Sequence, residues 1–203
     1  MHVKDLGLVD FQLIYENMQT FTAQRDKNTV DELWLLEHNP VFTQGLNGKS
    51  AHIFDTQHIP VVKTDRGGQV TYHGPGQLIA YTLIDLKRRN FGVRHMVSCL
   101  EKSVISFLNT FDVCAQARTD APGVYVDGRK IASLGLRVKR GFCYHGLSLN
   151  INMDLTPFSY INPCGLPGME MIDLKSLGIT ITMKQAKQQF ASEFDAQICN
   201  REQ

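Results

Sequence analysis

The central segment of the chain reads Arg66-Gly67-Gly68-Gln69-Val70-Thr71-Tyr72-His73-Gly74-Pro75-Gly76-Gln77, and an apolar run over residues 78–84 follows it directly. Its glycines allow close backbone approach and positive φ angles, and its proline stiffens the turn. The other side chains supply a cation, an imidazole, hydroxyls and amides. An ordinary turn between strands would explain the glycines but not this density of polar groups. The segment therefore predicts a ligand-holding loop between two strands.

Hydrophobic patterns on both sides of the loop indicate regular elements. Residues 11–26 have a helical rhythm, and residues 33–36 are typical of a strand. Residues 59–62 lead into the loop as a strand, and residues 78–84 leave it as a mostly buried one. Apolar residues from Val93 onward recur at helical intervals, which predicts a long amphipathic helix.

The second half of the chain favours hairpins. Asp127-Gly128 lies between strand formers and predicts a type I′ turn, with Lys130 at the start of the return strand. A turn at Arg140-Gly141 leads to residues 147–153, where apolar and polar residues alternate as in a half-buried antiparallel strand. Residues 156–169 should be irregular, and a closing helix should begin with a capping box formed by Thr182 and Gln185.

The order of these elements predicts one α+β domain over residues 1–203. We find no internal repeat, low-complexity tract or linker that would divide the chain. Helices interrupt runs of hairpins without the regular alternation of a doubly wound fold. We therefore expect a mixed, largely antiparallel sheet flanked by helices.

Composition limits the classes of partner. The formal net charge is +1, which does not indicate bulk attraction to nucleic acid. The sequence has no apolar run of bilayer length and no apolar core of a secretory signal near Met1, so we expect no membrane association and a cytoplasmic location. Five cysteines without close pairing suggest reduced thiols and no metal site.

Cys164 stands apart from the other cysteines because prolines and glycines shape its surroundings, in Asn162-Pro163-Cys164-Gly165. It is a candidate nucleophile, although most unpaired cysteines are inert packing residues. A nucleophilic thiol needs a neighbouring cation or base. Lys130, His73 and His145 are the candidates. Lys130 follows another cation, which would favour its uncharged form, whereas the ordinary fate of a lysine is a solvated strand surface.

Small residues after Lys130 predict a cavity in front of the sheet. Residues 131–135 read Ile-Ala-Ser-Leu-Gly, and residues 144–148 have a similar character. We interpret His145 as pocket lining, since a lone histidine in a strand is more often a hydrogen-bonded structural residue than a base. Gly48-Lys49-Ser50 resembles the end of a phosphate-binding loop, but Thr43 occupies the position of the required leading glycine.

Together these motifs resemble the lipoyl(octanoyl) transferases over nearly the whole chain. The matching stretches are residues 37–45, 66–77, 128–135, 145–147 and 162–165. The resemblance implies the fold of the biotin and lipoate protein ligases, with an acyl chain held in a deep tunnel. It implies that Cys164 accepts the acyl group and that Lys130 is the catalytic lysine. The residues implied to bind substrate are Arg66, Gly67, Gly68, Gln69, Val70, Thr71, Tyr72, His73, Ser133, Leu134, Gly135, Gly146, Leu147 and Ser148.

The resemblance also implies a reaction, the first step of endogenous protein lipoylation. An octanoyl group would pass from octanoyl-acyl carrier protein through a Cys164 thioester to a lysine ε-amine. The acceptors would be lipoyl domains of 2-oxoacid dehydrogenase complexes and the H protein of glycine cleavage. The thioester is already activated, so no cofactor, ATP or metal is expected. Basic residues at 87–89 and at 137–140 could meet an acidic carrier.

Three other functions remain open from the sequence. One is an ATP-dependent lipoate or biotin protein ligase, in which the glycine loop would hold an acyl-adenylate. Another is a thioesterase that passes the octanoyl group to water. The last is a non-catalytic acyl-binding module in which Cys164 is buried and unreactive.

Overall fold

A computed structural model of the chain describes residues 1–199. The helices of this region are α1 Phe11–Gln24, α2 Leu86–Arg89, α3 Val93–Asn109 and α4 Met183–Cys199. The strands are β1 His2–Val9, β2 Glu32–His38, β3 Val41–Gln44, β4 Val61–Lys63, β5 Val70–His73, β6 Gln77–Asp85, β7 Gln116–Ala117, β8 Gly123–Val126, β9 Arg129–Lys139 and β10 Phe142–Asn150.

The main sheet has seven strands in the order β1-β2-β6-β10-β9-β8-β7. Its β1 and β2 pair in parallel, and its other neighbours pair antiparallel. Two hairpins, β8–β9 and β9–β10, supply one half of the sheet, because turns of two residues join only antiparallel strands. The predicted mixed, largely antiparallel sheet flanked by helices is confirmed.

A second, smaller sheet has the order β4-β3-β5, and the sequence did not predict it. Its strand β5 covers residues 70–73, in the middle of the segment predicted to be a loop. The β3 strand pairs antiparallel with β5 and parallel with β4. Four residues among glycines and polar side chains give too short a pattern to distinguish a strand from a loop.

Helices cover both faces of the main sheet. Buried residues of α3 and α4, among them Leu100 and Phe190, form one cluster with one face. Ile14 and Met18 of α1 form a second cluster against the other face, together with Trp34. The main sheet is therefore covered on both faces.

The predicted turns and cap form as expected. Asp127 and Gly128 both have positive φ, at 49° and 79°, as a type I′ turn requires. Arg140 and Gly141 have the same feature. The side chain of Gln185 accepts a hydrogen bond from the Thr182 N–H at 3.1 Å, and Thr182 Oγ1 accepts one from the Gln185 N–H at 3.3 Å. The start of α4 is therefore a capping box.

The strand predicted over residues 147–153 differs in extent and in burial. It belongs to β10, which ends at Asn150, and its polar residues Ser148 and Asn150 are buried. Alternation of apolar and polar residues normally separates core from solvent. Here both faces of the strand are covered, so the polar positions face the interior of the molecule.

Two of the three basic residues of α2 are paired within the chain. Arg88 and Arg89 both bind the carboxylate of Asp31, at 2.6 and 2.8 Å. The fully buried guanidinium of Arg25 joins them at 2.7 Å. Burial alone would raise the pKa of Asp31, but the Asp85 N–H and the arginines hold it below its ordinary value. Arg88 and Arg89 were expected to meet an acidic carrier protein. Their ion pairs with Asp31 instead hold segments of this chain together, which argues against a docking role for these two residues.

No helix within residues 1–199 is both long and apolar enough to cross a bilayer.

Candidate active site

A pocket of about 360 Å³ lies between the main sheet and the smaller one. All of the predicted binding residues except Tyr72 line it, together with Lys130 and Cys164. Its walls also include residues that the sequence did not single out, namely Phe11, Ile79, Tyr81, Val93, Val97 and Leu136. The pocket is lined mainly by carbon, which suits an acyl chain better than a charged ligand.

Small residues on adjacent strands form the floor of the pocket. Ser133 of β9 pairs with Ser148 of β10, and Gly135 pairs with Gly146. A side chain at Gly146 would collide with the carbonyl group of Ala80 on β6. The glycine therefore allows the strands to meet, and the short side chains leave space above the sheet.

Tyr72 lies on the other side of β5. Successive residues of a strand point to opposite faces, so Tyr72 faces away from its neighbours Thr71 and His73. Its ring packs against Phe42 and Phe158, at 5.5 and 5.6 Å between ring centroids. The structure therefore gives Tyr72 a packing role in the smaller sheet and does not place it on the pocket.

Arg66 is a buried cation that ties the glycine-rich segment to β3. Its guanidinium donates to the carbonyl oxygen of Thr43 at 2.6 Å, to the Thr43 hydroxyl at 2.8 Å and to the carbonyl oxygen of Gly67 at 2.9 Å. Burial lowers the pKa of Arg66 to about 10, which leaves it charged at neutral pH. No carboxylate within residues 1–199 forms an ion pair with it.

His73 is held as a neutral imidazole. Its Nδ1 lies 2.7 Å from Gln77 Oε1, and its Nε2 lies 3.1 Å from the Thr43 hydroxyl. Burial, with a smaller contribution from neighbouring cationic groups, lowers the pKa of His73 to about 3. Both ring nitrogens are occupied, so His73 is a structural wall of the pocket and not a free base.

Lys130 and Cys164, which are distant in sequence, meet at the pocket. Lys130 Nζ lies 2.9 Å from Cys164 Sγ and donates to the carbonyl oxygen of Pro122 at 3.0 Å. Lys130 is 1% exposed. The other interpretation considered from the sequence, a solvated lysine on a strand surface, is therefore wrong. Both side chains line the same cavity. The arrangement places a nucleophilic atom and a proton-transferring group in direct contact.

Backbone irregularities position both members of the pair. One extra residue, Ile131, interrupts the pairing of β8 with β9 beside Lys130, as in a β-bulge. Gly123 of β8 lacks the side chain that would collide with Lys130 Cε. Cys164 has φ 59° in a short 3-10 turn, a left-handed conformation that few residues other than glycine adopt. Such outliers concentrate at functional sites.

Cys164 lies near the open end of the pocket. It is partly exposed, and two other lining residues, Val93 and Leu166, are 49% and 37% exposed. Three further lining residues, Phe11, Tyr81 and His145, are buried. A substrate thioester could therefore reach the sulfur from solvent while its acyl chain enters the protein. His145 lines the pocket, as the sequence predicted.

Two acidic residues near the site were missed by the sequence analysis. Glu101 of α3 accepts a hydrogen bond from the Gly123 N–H at 3.1 Å, beside Lys130. Burial raises the pKa of Glu101, and the Gly123 N–H and Lys130 oppose that shift. The Asp65 carboxylate binds His145 at 3.0 Å. Glu101 does not belong to the apolar stripe of α3, and no local signal in the sequence links either acidic residue to the pocket. Within residues 1–199 no group of histidine, cysteine and acidic side chains could hold a metal ion.

The fold and the sequence both match known proteins. The family model of the lipoyl protein ligase A/B catalytic domain matches residues 13–195, so the chain belongs to that family. A solved structure of lipoate-protein ligase A bound with ATP superposes with a TM-score of 0.82 at 12% identity, covering 97% of this chain and 85% of that one. Biotin protein ligase from Aquifex aeolicus gives a TM-score of 0.65 at 12% identity, covering 97% and 70%. These two likenesses show the shared fold.

Within the family, the chain is similar to octanoyltransferases. It is 56% identical over 188 residues to an octanoyltransferase of Nitrosococcus oceani, covering 93% of this chain and 84% of that protein. It is 61% identical over 175 residues to one of Aliivibrio fischeri, covering 86% and 78%. The predicted resemblance to the octanoyltransferases is confirmed.

Proposed function

We propose that this protein is an octanoyltransferase that acts on lipoyl domains, with Cys164 as the acyl acceptor and Lys130 as its proton-transfer partner. The observation that carries the proposal is the contact of Lys130 Nζ with Cys164 Sγ at the mouth of an apolar pocket. The high identity with octanoyltransferases supports the nature of the acyl group. The donor is octanoyl-acyl carrier protein.

In the first half-reaction the amine of Lys130 takes the proton of the Cys164 thiol. The thiolate attacks the carbonyl carbon of the octanoyl thioester, and the bond from that carbon to the carrier's sulfur breaks. The carrier leaves as a thiol, with the proton that Lys130 returns to it. An octanoyl thioester remains on Cys164.

In the second half-reaction the ε-amine of an acceptor lysine on a lipoyl domain attacks the Cys164 thioester. Lys130 takes a proton from the attacking nitrogen, and the carbon–sulfur bond breaks as the amide forms. The Cys164 thiolate leaves and regains the proton from Lys130. The partly exposed sulfur lets carrier and acceptor use the same opening in turn.

The pocket supplies the binding energy for the acyl chain. Each methylene group transferred from water into an apolar cavity contributes about 0.8 kcal/mol. The chain would lie over the small residues of β9 and β10, with the reacting carbonyl at Cys164. Positioning of the thioester beside the thiolate replaces a bimolecular encounter with a local one.

The Lys130–Cys164 contact favours this reaction over a ligase and over an acyl-binding module. A ligase that forms an acyl-adenylate does not require a thiol paired with a lysine, and an acyl-binding module does not require a reactive sulfur. A thioesterase could use the same pair. The acceptor amine, rather than water, is the proposed second substrate because the chain is so similar to octanoyltransferases.

The test is intact-protein mass spectrometry after mixing the protein with octanoyl-acyl carrier protein in the absence of ATP. We expect one octanoyl adduct, located on Cys164 by peptide mapping and discharged when a lipoyl domain is added. Cys164→Ala should give no adduct. Cys114→Ala is the matched control, because Cys114 is exposed and is not among the pocket-lining residues, and it should give the wild-type adduct.

Other outcomes would contradict the proposal. Acceptor labelling that requires free octanoate and ATP would indicate a ligase. An adduct that discharges to water, with no amide on the acceptor, would indicate a thioesterase. Protection of Cys164 from alkylation by the acyl substrate, without any adduct, would indicate a binding module.

A further inference from the structure

The closed end of the pocket contains a residue with an unusual backbone. His145 of β10 has φ 62°, in the left-handed region. Cys143 and Leu147, two positions away on either side, pack on the sheet face covered by α3 and α4. Strict alternation would place His145 with them. Its ring instead stacks on Tyr144, at 5.1 Å between centroids, and lies 5.5 Å from Tyr15 of α1.

The left-handed conformation thus turns the imidazole to the pocket side of the sheet. A residue other than glycine held at positive φ carries a conformational cost of about 1–3 kcal/mol. The surrounding contacts must offset that cost. Since such outliers concentrate where function requires a side chain in a special place, the orientation of His145 needs an explanation beyond packing.

The side chain of Asp65 joins two neighbouring residues of β10. It accepts hydrogen bonds from His145 Nε2 at 3.0 Å and from the Tyr144 hydroxyl, and the Asp65 N–H donates to the Tyr15 hydroxyl at 3.1 Å. Burial alone would raise the pKa of Asp65, but the bonds from His145 and Tyr144 hold it below its ordinary value. The carboxylate is charged and accepts only, so His145 Nε2 carries a proton.

These residues separate two cavities. His145 lines the acyl pocket, whereas Asp65 and Tyr144 line a second cavity of about 320 Å³. The second cavity is more polar, and its other lining residues include Thr22 and Lys139. The group formed by Asp65, Tyr144 and His145, here called the polar plug, is therefore the partition between the two.

The polar plug lies on the far side of the pocket from the nucleophile. Lys130 is the second residue of β9, and Leu136, further along the same strand, pairs with His145 of β10. Lys139, which lines the second cavity, lies still further along the same strand. Strand β9 therefore runs from the nucleophilic pair, past the plug, to the second cavity.

We propose that the polar plug formed by Asp65, Tyr144 and His145 sets the upper limit on the length of acyl chain that the pocket accepts. This proposal rests on the proposed octanoyl transfer, since it assigns the end of the same pocket. A chain longer than the pocket would have to separate a hydrogen-bonded carboxylate from its partners. Depriving this partly buried carboxylate of its hydrogen bonds costs more than burying another methylene gains. A partition of hydrogen-bonded polar groups therefore limits acyl-chain length more strictly than a wall of apolar side chains would, because apolar side chains can repack around a longer chain.

The main test variant is His145→Gly. It removes the ring, and glycine adopts the left-handed φ of this position without strain. The variant should join the two cavities and accept decanoyl and dodecanoyl chains. Gln19→Ala is the matched control, because Gln19 lines the second cavity without belonging to the polar plug. A second opening variant, Asp65→Ala, removes the carboxylate from a partly exposed position and serves if His145→Gly does not fold.

Two measurements report on the pocket separately. The first is the ratio of rates with dodecanoyl- and octanoyl-acyl carrier protein. The second is calorimetric binding of free octanoate and dodecanoate to the protein carrying Cys164→Ala, which requires no transfer. Each methylene that the pocket newly accepts should raise affinity by about fourfold. We expect His145→Gly to raise the dodecanoyl-to-octanoyl ratio about tenfold or more in both measurements, and Gln19→Ala to keep the wild-type ratio.

The outcomes distinguish this proposal from the proposed function. If the wild type transfers octanoyl groups but both opening variants keep the wild-type ratio for rates and for binding, the polar plug does not set the length. If the wild type transfers nothing but the binding ratio changes in His145→Gly, the plug is supported and the transferase proposal fails. A long-chain preference already present in the wild type would overturn the length limit directly.

Discussion

The contact between Lys130 and Cys164 depends on a residue that takes no part in chemistry. Gly123 faces Lys130 across the β8–β9 hairpin, and a Cβ atom there would meet Lys130 Cε and the carbonyl oxygen of Ala132. Its φ of 148° is a further obstacle to any side chain. The lysine has little room to shift, because it is almost completely buried.

We therefore predict that Gly123→Ala slows acylation of Cys164, because it displaces Lys130 Nζ from the sulfur. Lys130→Ala should slow the same step by about 10²–10⁴-fold, the usual contribution of a general acid or base. Single-turnover acylation with octanoyl-acyl carrier protein measures both. Gly92→Ala is the control, since a Cβ there meets nothing within 4 Å, and it should acylate normally. Normal acylation by Lys130→Ala would remove Lys130 from the mechanism.

At the scale of elements, the capping box of α4 stabilises a helix that covers the sheet. Phe190 and Phe194 of α4 are fully buried in the cluster that includes α3. At the start of this helix, Gln185 Oε1 accepts a hydrogen bond from the Thr182 N–H, and Thr182 Oγ1 accepts one from the Gln185 N–H. The first N–H groups of a helix otherwise lack partners.

Thr182→Ala should lower the free energy of unfolding by about 1 kcal/mol, because it removes one of these hydrogen bonds. Thr180→Ala is the matched control, since Thr180 is exposed and precedes the cap. Chemical denaturation monitored by circular dichroism gives both values. Equal stability of the two variants would show that the cap contributes nothing beyond solvent hydrogen bonding.

At the scale of the whole molecule, buried histidines link folding to pH. His38 is buried, its Nδ1 lies 3.0 Å from the Val9 carbonyl oxygen, and its Nε2 lies 2.7 Å from the Tyr81 hydroxyl. Burial lowers its pKa from 6.5 to about 4. The unfolded chain therefore binds a proton at this residue between those pH values while the folded chain does not. Stability falls as pH decreases through that window.

We predict that the free energy of unfolding decreases on acidification from pH 6.5, with His38 contributing up to about 1.4 kcal/mol per pH unit. Unfolding by denaturant at several pH values measures the slope. His38→Gln should make the slope shallower, since it removes the titrating group. His2→Gln, at an exposed position of β1, should leave the slope unchanged. A wild-type stability that is constant down to about pH 4 would contradict the assignment.

Local patterns in the sequence determined the elements that depend on neighbouring residues. The α3 helix, the Asp127-Gly128 turn, the capping box at Thr182 and the strand after Gln77 follow from periodicity and backbone preference alone. The unusual surroundings of Cys164 and the small residues after Lys130 indicated a reactive thiol and a cavity. The resemblance of several motifs to one family then connected these separate features to one reaction.

The tertiary structure alone decided which of these residues meet. Strand β5 forms because it can pair with β3. Successive side chains of β5 point to opposite faces, so the Tyr72 ring packs against Phe42 and does not line the pocket. The left-handed turn of His145 and its bond to Asp65 depend on contacts between segments far apart in sequence. Propensity and periodicity report on neighbours along the chain, whereas a pocket's depth depends on side chains brought together by the whole fold.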